Sequence, residues 1–321
     1  MNPSISVIIP AYNRARFLDA ALDSVFAQQH APPFEVIAVD DASTDRTPDL
    51  LAARIAQHNT LRVVTRRRRD RHGPAAARNA GLAIARAPWI AFLDSDDTWE
   101  PEKLAHFHAA IADGVTLIGS NYWMIGDRPE ENRTMWDFLE QVMIPWWRGD
   151  PLIRQVIPAD ALANDRSRLT DPFTIRRMTL GGYLWPSTTS VMVRRDAVTD
   201  AGGFDERLAR TEDMDLWLNL LDRGNFAYID LPLARYNTTG RDAGQGPRYD
   251  EQAPERKHTA YLEMKAHLDF LKTLPRRFEL DAPARAFWHD RIRAYHAYCA
   301  KAAEPGHPWR ARWHHWRSST R

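Results

Sequence analysis

Four short apolar runs, Ser4–Pro10, Phe34–Val39, Leu61–Val64 and Trp89–Leu93, are separated by stretches of helical spacing, and this alternation limits the folds open to the chain. The unbroken run Trp89, Ile90, Ala91, Phe92, Leu93 reads as a strand covered on both faces, as in a parallel sheet. From about Arg14, the residues Phe17, Leu18, Ala21, Leu22, Val25 and Phe26 form one apolar helical face. Thr47 reads as an N-cap with Pro48 at the first helical position, opening a helix through Leu50, Leu51 and Ile55. Gly73–Ala87 reads as an alanine-rich helix carrying Arg78 and Asn79. The order β-α-β-α-β-α-β predicts an α/β fold with a doubly wound, mostly parallel, Rossmann-like sheet. Right-handed crossovers then place every strand's carboxyl end on one edge.

Three of these strands run into polar residues: Tyr12 and Asn13, then Asp40 and Asp41, then Asp94, Ser95, Asp96 and Asp97. Topology brings the three ends together, and open α/β sheets bind ligands at that edge. Two carboxylates one residue apart can offer hard oxygen ligands to Mg²⁺ or Mn²⁺ while a diphosphate completes the shell; an acidic turn capping the next helix is the structural alternative. Neither G-x-G-x-x-G nor G-x-x-x-x-G-K-[ST] is present, so phosphates would be held by a metal and by side chains such as Arg78.

Taken in order, SVIIPAYNRARFL, EVIAVDDASTDRT, GPAAARNAGL and FLDSDD resemble the nucleotide-sugar-binding half of family 2 glycosyltransferases with the GT-A fold. The resemblance implies that Pro10, Ala11 and Tyr12 line a base site, with Tyr12 stacking, and that Asp41 accepts a hydrogen bond from a uracil- or thymine-type base. It implies that Arg78 reaches the base or the diphosphate, that Asp94 touches the ribose or sugar, and that Asp96 ligates the metal. Asn13 and Ser95 complete the expected nucleotide-sugar set, with Asp40 and Asp97 standing behind Asp96 as further acids.

The run Val115–Gly119, continued by Asn121, Tyr122 and Trp123, reads as the strand closing this half. Residues 127–182 are irregular, proline-punctuated and carry the pair Trp146-Trp147. Such an insertion reads as an acceptor-side cover whose tryptophans either stack on a sugar or pack a small core of their own. Ser187–Val193 reads as a strand, and Thr211, Glu212 and Asp213 as the start of a helix whose macrodipole favours those acids. GGFDE followed by TEDMDLWL resembles the acceptor-side signature of the same family. That likeness implies Asp213 as the base that deprotonates an acceptor hydroxyl, with Glu212 and Trp185 on the acceptor side. Many members carry a histidine near Tyr236; here Asn237, Thr238 and Thr239 follow, which leaves a third metal contact open. The processive synthases' Q-x-x-R-W element and membrane spans are missing, which favours transfer of a single sugar.

The expected layout is a nucleotide-sugar half over 1–125, an acceptor half over 126–250 and a helical extension over 251–321. In that extension Tyr261, Met264, Leu268 and Leu271 form one stripe, and Trp288, Ile292, Tyr295 and Cys299 another. Gly240–Gly246 reads as a loop that could order over bound donor. Trp309, Trp313 and Trp316 share a helical face among arginines, a composition suited to an anionic membrane interface or to docking on the protein itself. A net charge of +1 argues against nucleic acid as partner, and the single cysteine excludes an internal disulfide framework. No leader and no spanning segment is evident, so a cytoplasmic protein, peripheral at the inner membrane face, is expected.

The reading is therefore an inverting, metal-dependent transferase using Mn²⁺ or Mg²⁺. Its donor is a UDP- or dTDP-sugar, its acceptor a saccharide or lipid-linked hydroxyl, and its setting cell-surface polysaccharide or glycolipid synthesis. The alternatives are a sugar-nucleotide pyrophosphorylase, whose glycine- and arginine-rich loop Pro10–Asn13 lacks, and a non-catalytic scaffold that retains a nucleotide site.

Overall fold

A computed structural model of the chain describes residues 2–67, 73–126, 132–138, 186–208 and 211–238, together with 265, 268–275, 282, 285–286, 288–290, 292–293 and 296. The chain divides into two compact units, Met1–Leu139 with Pro186–Thr238, and Glu140–Trp185 with Thr239–Arg321.

The first unit opens with β1 (Ile5–Ala11), α1 (Leu18–Phe26), β2 (Phe34–Asp40), α2 (Thr47–Gln57), β3 (Leu61–Thr65), α3 (Pro74–Leu82) and β4 (Trp89–Phe92). It continues with β5 (Thr98–Trp99), α4 (Lys103–Ala109), β6 (Val115–Ile125), β7 (Arg133–Thr134), α5 (Met135–Phe138), a 3₁₀ turn at Thr188–Ser190, β8 (Val191–Arg194), α6 (Arg195–Asp200), α7 (Glu212–Leu221) and β9 (Asn225–Asn237). The sheet runs β3-β2-β1-β4-β8-β6-β9-β5, with β7 beside β6. β3, β2, β1 and β4 are parallel, as the alternating pattern predicts, so the ends at Ala11, Asp40 and Phe92 share one edge. β8 enters antiparallel between β4 and β6, while β6 and β9 form a long parallel ladder.

Burial follows the apolar runs. Val7, Ile8, Ile9, Ile37, Ile90, Ala91, Phe92 and Leu93 are wholly buried, as befits strands covered on both faces. Phe92, Phe204 and Trp217 pack edge to face or tilted, joining β4 to the acceptor-side elements. At the opposite edge Glu35 gathers Ser6 Oγ, the Arg86 amide and Arg62, tying β1, β2 and β3 to the chain entering β4.

Three local expectations are corrected. The first helix begins at Leu18, not near Arg14, because residues 15–17 form a turn closed by the Phe17 and Leu18 amides on the Arg14 carbonyl. Thr47 is not a helix cap: its Oγ1 accepts the Arg14 amide, while Asp45 Oδ1 accepts the Thr47 amide. Ser187–Val193 is not one strand: Thr188–Ser190 make a 3₁₀ turn stabilised by Ser190 donating to the Ser187 carbonyl, and β8 starts at Val191.

In the second unit the backbone is helical at 268–275, where Leu268, Phe270, Leu271 and Leu274 are buried. Trp288 Nε1 donates to the Leu271 carbonyl, and Ile292 is half-buried. Tyr261, Met264, Tyr295, Cys299, Trp146, Trp147, the loop at 240–246 and the tail at 309–317 lie outside the described residues.

Candidate active site

The site begins where β1, β2 and β4 end. Leu93 donates its amide to the Ile8 carbonyl, after which Asp94–Asp97 turn sharply, closed by the Asp97 amide on the Asp94 carbonyl. Ser95 and Asp97 are buried, whereas Asp94 and Asp96 are half-buried and reachable.

The base-side residues separate into two kinds. Tyr12 is 54% exposed at the lip and free to offer a ring face. Asn13, at φ 53°, turns inward: its Oδ1 accepts the Thr44 amide at 2.8 Å and its own amide donates to Ser43 Oγ at 3.0 Å. Asn13 thus stitches the loop after β1 to the loop after β2 and holds Tyr12 outward. Asp41 is buried, with Arg66 Nη1 on one carboxylate oxygen at 2.5 Å and the Gly73 amide on the other at 2.8 Å. Gly73 at φ 115° is the turn that delivers that amide just before α3. Pro10 and Ala11 form the strand end beneath these loops, with the Ala11 carbonyl accepting the Asp41 amide.

Arg78 sits at the centre, 4% exposed. Its Nη2 donates to Asp94 Oδ1 at 2.7 Å and its Nη1 to Glu212 Oε1 at 2.8 Å, joining groups from the end of β4 and the start of α7. Burial pulls the Arg78 pKa down, but Asp94 and Glu212 raise it further, so the guanidinium stays charged. Glu212 is pushed up to about 7 by burial and by Asp213, against the lowering pull of Arg78. Asp213, half-buried, receives Thr188 Oγ1 on Oδ2 at 3.2 Å and the Met214 amide on Oδ1 at 2.8 Å. One oxygen of a reachable carboxylate is therefore steadied by a hydroxyl.

Asp97 closes the site from below. Its Oδ1 accepts the Asn237 amide at 2.7 Å, and its Oδ2 is buried near the Thr189 hydroxyl. Burial and the neighbouring Asp94 and Asp96 hold its pKa well above the usual carboxylate range. Among the described residues no group of three or more His, Cys, Asp or Glu is arranged to hold a metal ion unaided. The donor set nevertheless suits a divalent cation in kind: the half-buried Asp94 and Asp96 offer hard carboxylate oxygens one residue apart. Ligand oxygens and water would supply the remaining coordination.

Sequence reasoning passed over Thr188, which it placed in a strand, and gave no role to Asn79. Nothing in STTS marks one hydroxyl as the partner of an acid in α7. For Asn79 the adjacency to Arg78 was the available signal. Trp185 lies outside the described residues.

Residues 6–180 match the family model for glycosyl transferase family 2. Over 102 residues the chain is 43% identical to the succinoglycan biosynthesis protein ExoO of Rhizobium meliloti (strain 1021), covering 32% of this chain and 28% of that relative's length. In fold it is similar to S. aureus TarS 1-349 in complex with UDP-GlcNAc, with a TM-score of 0.55, 17% identity and coverage of 98% of this chain and 88% of that one. It is also similar to the mannosyltransferase PcManGT from Pyrobaculum calidifontis in complex with GDP-Man and Mn²⁺, with a TM-score of 0.59, 16% identity and coverage of 94% and 73%. These likenesses agree with the GT-A-type α/β fold expected from the sequence.

Proposed function

The chain belongs to glycosyl transferase family 2, and from that premise we propose that it is an inverting glycosyltransferase moving a single sugar from a UDP- or dTDP-sugar to a hydroxyl acceptor in bacterial surface-polysaccharide or glycolipid synthesis. The observation that carries this reading is the Arg78 bridge between Asp94 and Glu212, which sets the acids after β4 against the acids opening α7. A donor held at the first group would present its anomeric carbon to a base in the second.

In this reading Asp213 takes the proton of the acceptor hydroxyl as that oxygen forms a bond to the anomeric carbon. The bond from that carbon to the diphosphate oxygen breaks on the opposite face, and its electron pair leaves with the nucleotide. Thr188 keeps Asp213 turned toward the acceptor. Tyr12 stacks on the base above Pro10 and Ala11, Asp41 accepts from the base, and Asp94 and Ser95 meet the ribose or sugar. Glu212 and Trp185 belong to the acceptor side. Asp96 would hold Mn²⁺ or Mg²⁺, which when bound neutralises charge on the departing diphosphate. The UDP-GlcNAc complex of TarS and the Mn²⁺ complex of PcManGT support a nucleotide-sugar donor and a divalent ion.

Among the described residues no helix is long and apolar enough to cross a membrane. We assign the tail at 309–317 to peripheral contact with the inner membrane face on its Trp and Arg composition. The test of the functional reading is hydrolysis of UDP-, dTDP- and GDP-sugars with Mn²⁺, Mg²⁺ or chelator. Metal-dependent turnover of a UDP- or dTDP-sugar is expected; turnover of none of them would overturn the reading.

A further inference from the structure

We propose that Arg78 and Asn79 are positioning residues, a two-residue clamp on α3 that fastens Phe204 and Glu212 and thereby aims Asp213, and that Arg78 does this instead of binding the diphosphate. The inference rests on the functional reading above and deepens it by assigning Arg78 to the acceptor-side base.

Asn79 grips the main chain of Phe204 at both ends. Its Oδ1 accepts the Phe204 amide at 2.9 Å and its Nδ2 donates to the Phe204 carbonyl at 2.9 Å and to Glu206 Oε1 at 3.0 Å. The approach needs a glycine next door. Gly203 has φ 74°, and a Cβ there would stand 2.8 Å from Asn79 Oδ1, closer than real Cβ atoms come. Arg78, one residue earlier, holds the other end through Glu212 and lies over the Phe204 ring with its guanidinium carbon 5.4 Å from the centroid. One face of the guanidinium meets that ring, and each terminal nitrogen donates to a carboxylate. At 4% exposure and with both terminal nitrogens on carboxylates, only the buried Nε is left without a partner among the described residues.

The chain needs such an anchor. Thr211, just before α7, sits at φ 67°, a left-handed conformation costly for a β-branched residue. Strain of this kind persists where surrounding contacts over-determine it. The Glu212 grip follows directly, and Asp213 is the next residue. Arg78 and Asn79 therefore fix where the base points relative to Asp94.

The test compares wild type with Arg78→Lys and Asn79→Ala. UDP and dTDP are each titrated with Mn²⁺ by calorimetry, turnover of the matching nucleotide sugar is measured, and circular dichroism checks the fold. The clamp predicts that kcat falls about 10- to 100-fold in both variants, the cost of a base displaced by an ångström or so, while nucleotide Kd stays within about twofold of wild type. Arg78→Lys should retain more activity than Arg78→Met, since an ammonium still meets Glu212. Weakened nucleotide binding in Arg78→Lys beside normal binding in Asn79→Ala would overturn the clamp and return Arg78 to the donor. Unchanged kcat in Asn79→Ala would overturn it even if the Arg78 variants do not fold. Wild type that neither binds nucleotide nor turns over sugar nucleotide would overturn the functional reading itself, and the clamp with it.

Discussion

Asp97 Oδ1 accepts the backbone amide of Asn237 at 2.7 Å, so the acidic turn after β4 is fastened to the end of β9 through main chain. The lack of a histidine just after Tyr236 therefore does not bear on this link, which uses only an amide. Asp97→Ala should lower stability by about 1–3 kcal/mol by stranding the amide, whereas Asp97→Asn keeps an acceptor and should cost far less. Urea unfolding of the two variants measures the difference; equal losses would show that the hydrogen bond contributes nothing.

Glu35 supplies a prediction in pH. Burial pushes its pKa up, but the Arg86 amide, Ser6 and Arg62 together bring it below its ordinary value of 4.5. A carboxylate with a depressed folded pKa contributes stability that is present above the unfolded value and lost as pH falls through the folded one. Glu35→Gln should therefore destabilise the protein at pH 7 by on the order of 1 kcal/mol, with the gap to wild type closing below about pH 4. Unfolding curves at both pH values test this.

Lys103 behaves in the opposite sense. It is wholly buried on α4, its Nζ has no hydrogen-bond partner among the described residues, and it stands 3.9 Å from the centroid of Phe107. Burial holds its pKa well below 10.5, so folding releases a proton, and stability falls as pH drops from 10.5 toward the folded value. Lys103→Met, similar in length and without the amine, should stabilise the protein at neutral pH by on the order of 1–3 kcal/mol, with the gain shrinking toward pH 10. Melting temperatures across that range are the readout.

Tyr12 and Asn13 are neighbours with separable effects. Tyr12→Ala removes an exposed ring and should leave the melting temperature unchanged while weakening nucleotide binding, stacking being worth about 1–3 kcal/mol. Asn13→Ala should lower the melting temperature, because it releases the loop at Ser43 and Thr44. A melting change in Tyr12→Ala with normal binding would reverse these assignments.

The first half of the fold was legible because its strands are buried on both faces: unbroken apolar runs ending in acids mark both the strand and its carboxyl edge. The place of Tyr12, Asp41 and Asp94 to Asp97 at the strand ends was legible for the same reason. What escaped notice depends on distant partners. The antiparallel entry of β8 is decided by its neighbours β4 and β6 and leaves no local pattern. The 3₁₀ turn at Thr188–Ser190 hides in hydroxyl residues that also suit a strand. The Arg78 contacts with Asp94 and Glu212 join positions that only the completed sheet brings together, and no local pattern around Arg78 announces either partner.

The central claim is that Asp213 is the base while Asp96 serves the donor, and one paired measurement tests it most directly. Transfer or hydrolysis of a UDP- or dTDP-sugar and binding of its nucleotide with Mn²⁺ are compared in wild type, Asp213→Asn and Asp96→Ala. The account predicts that Asp213→Asn loses turnover by at least about a hundredfold with nucleotide affinity retained, and that Asp96→Ala loses metal-dependent affinity. Equal loss of nucleotide binding in both variants, or turnover that survives Asp213→Asn, would contradict it.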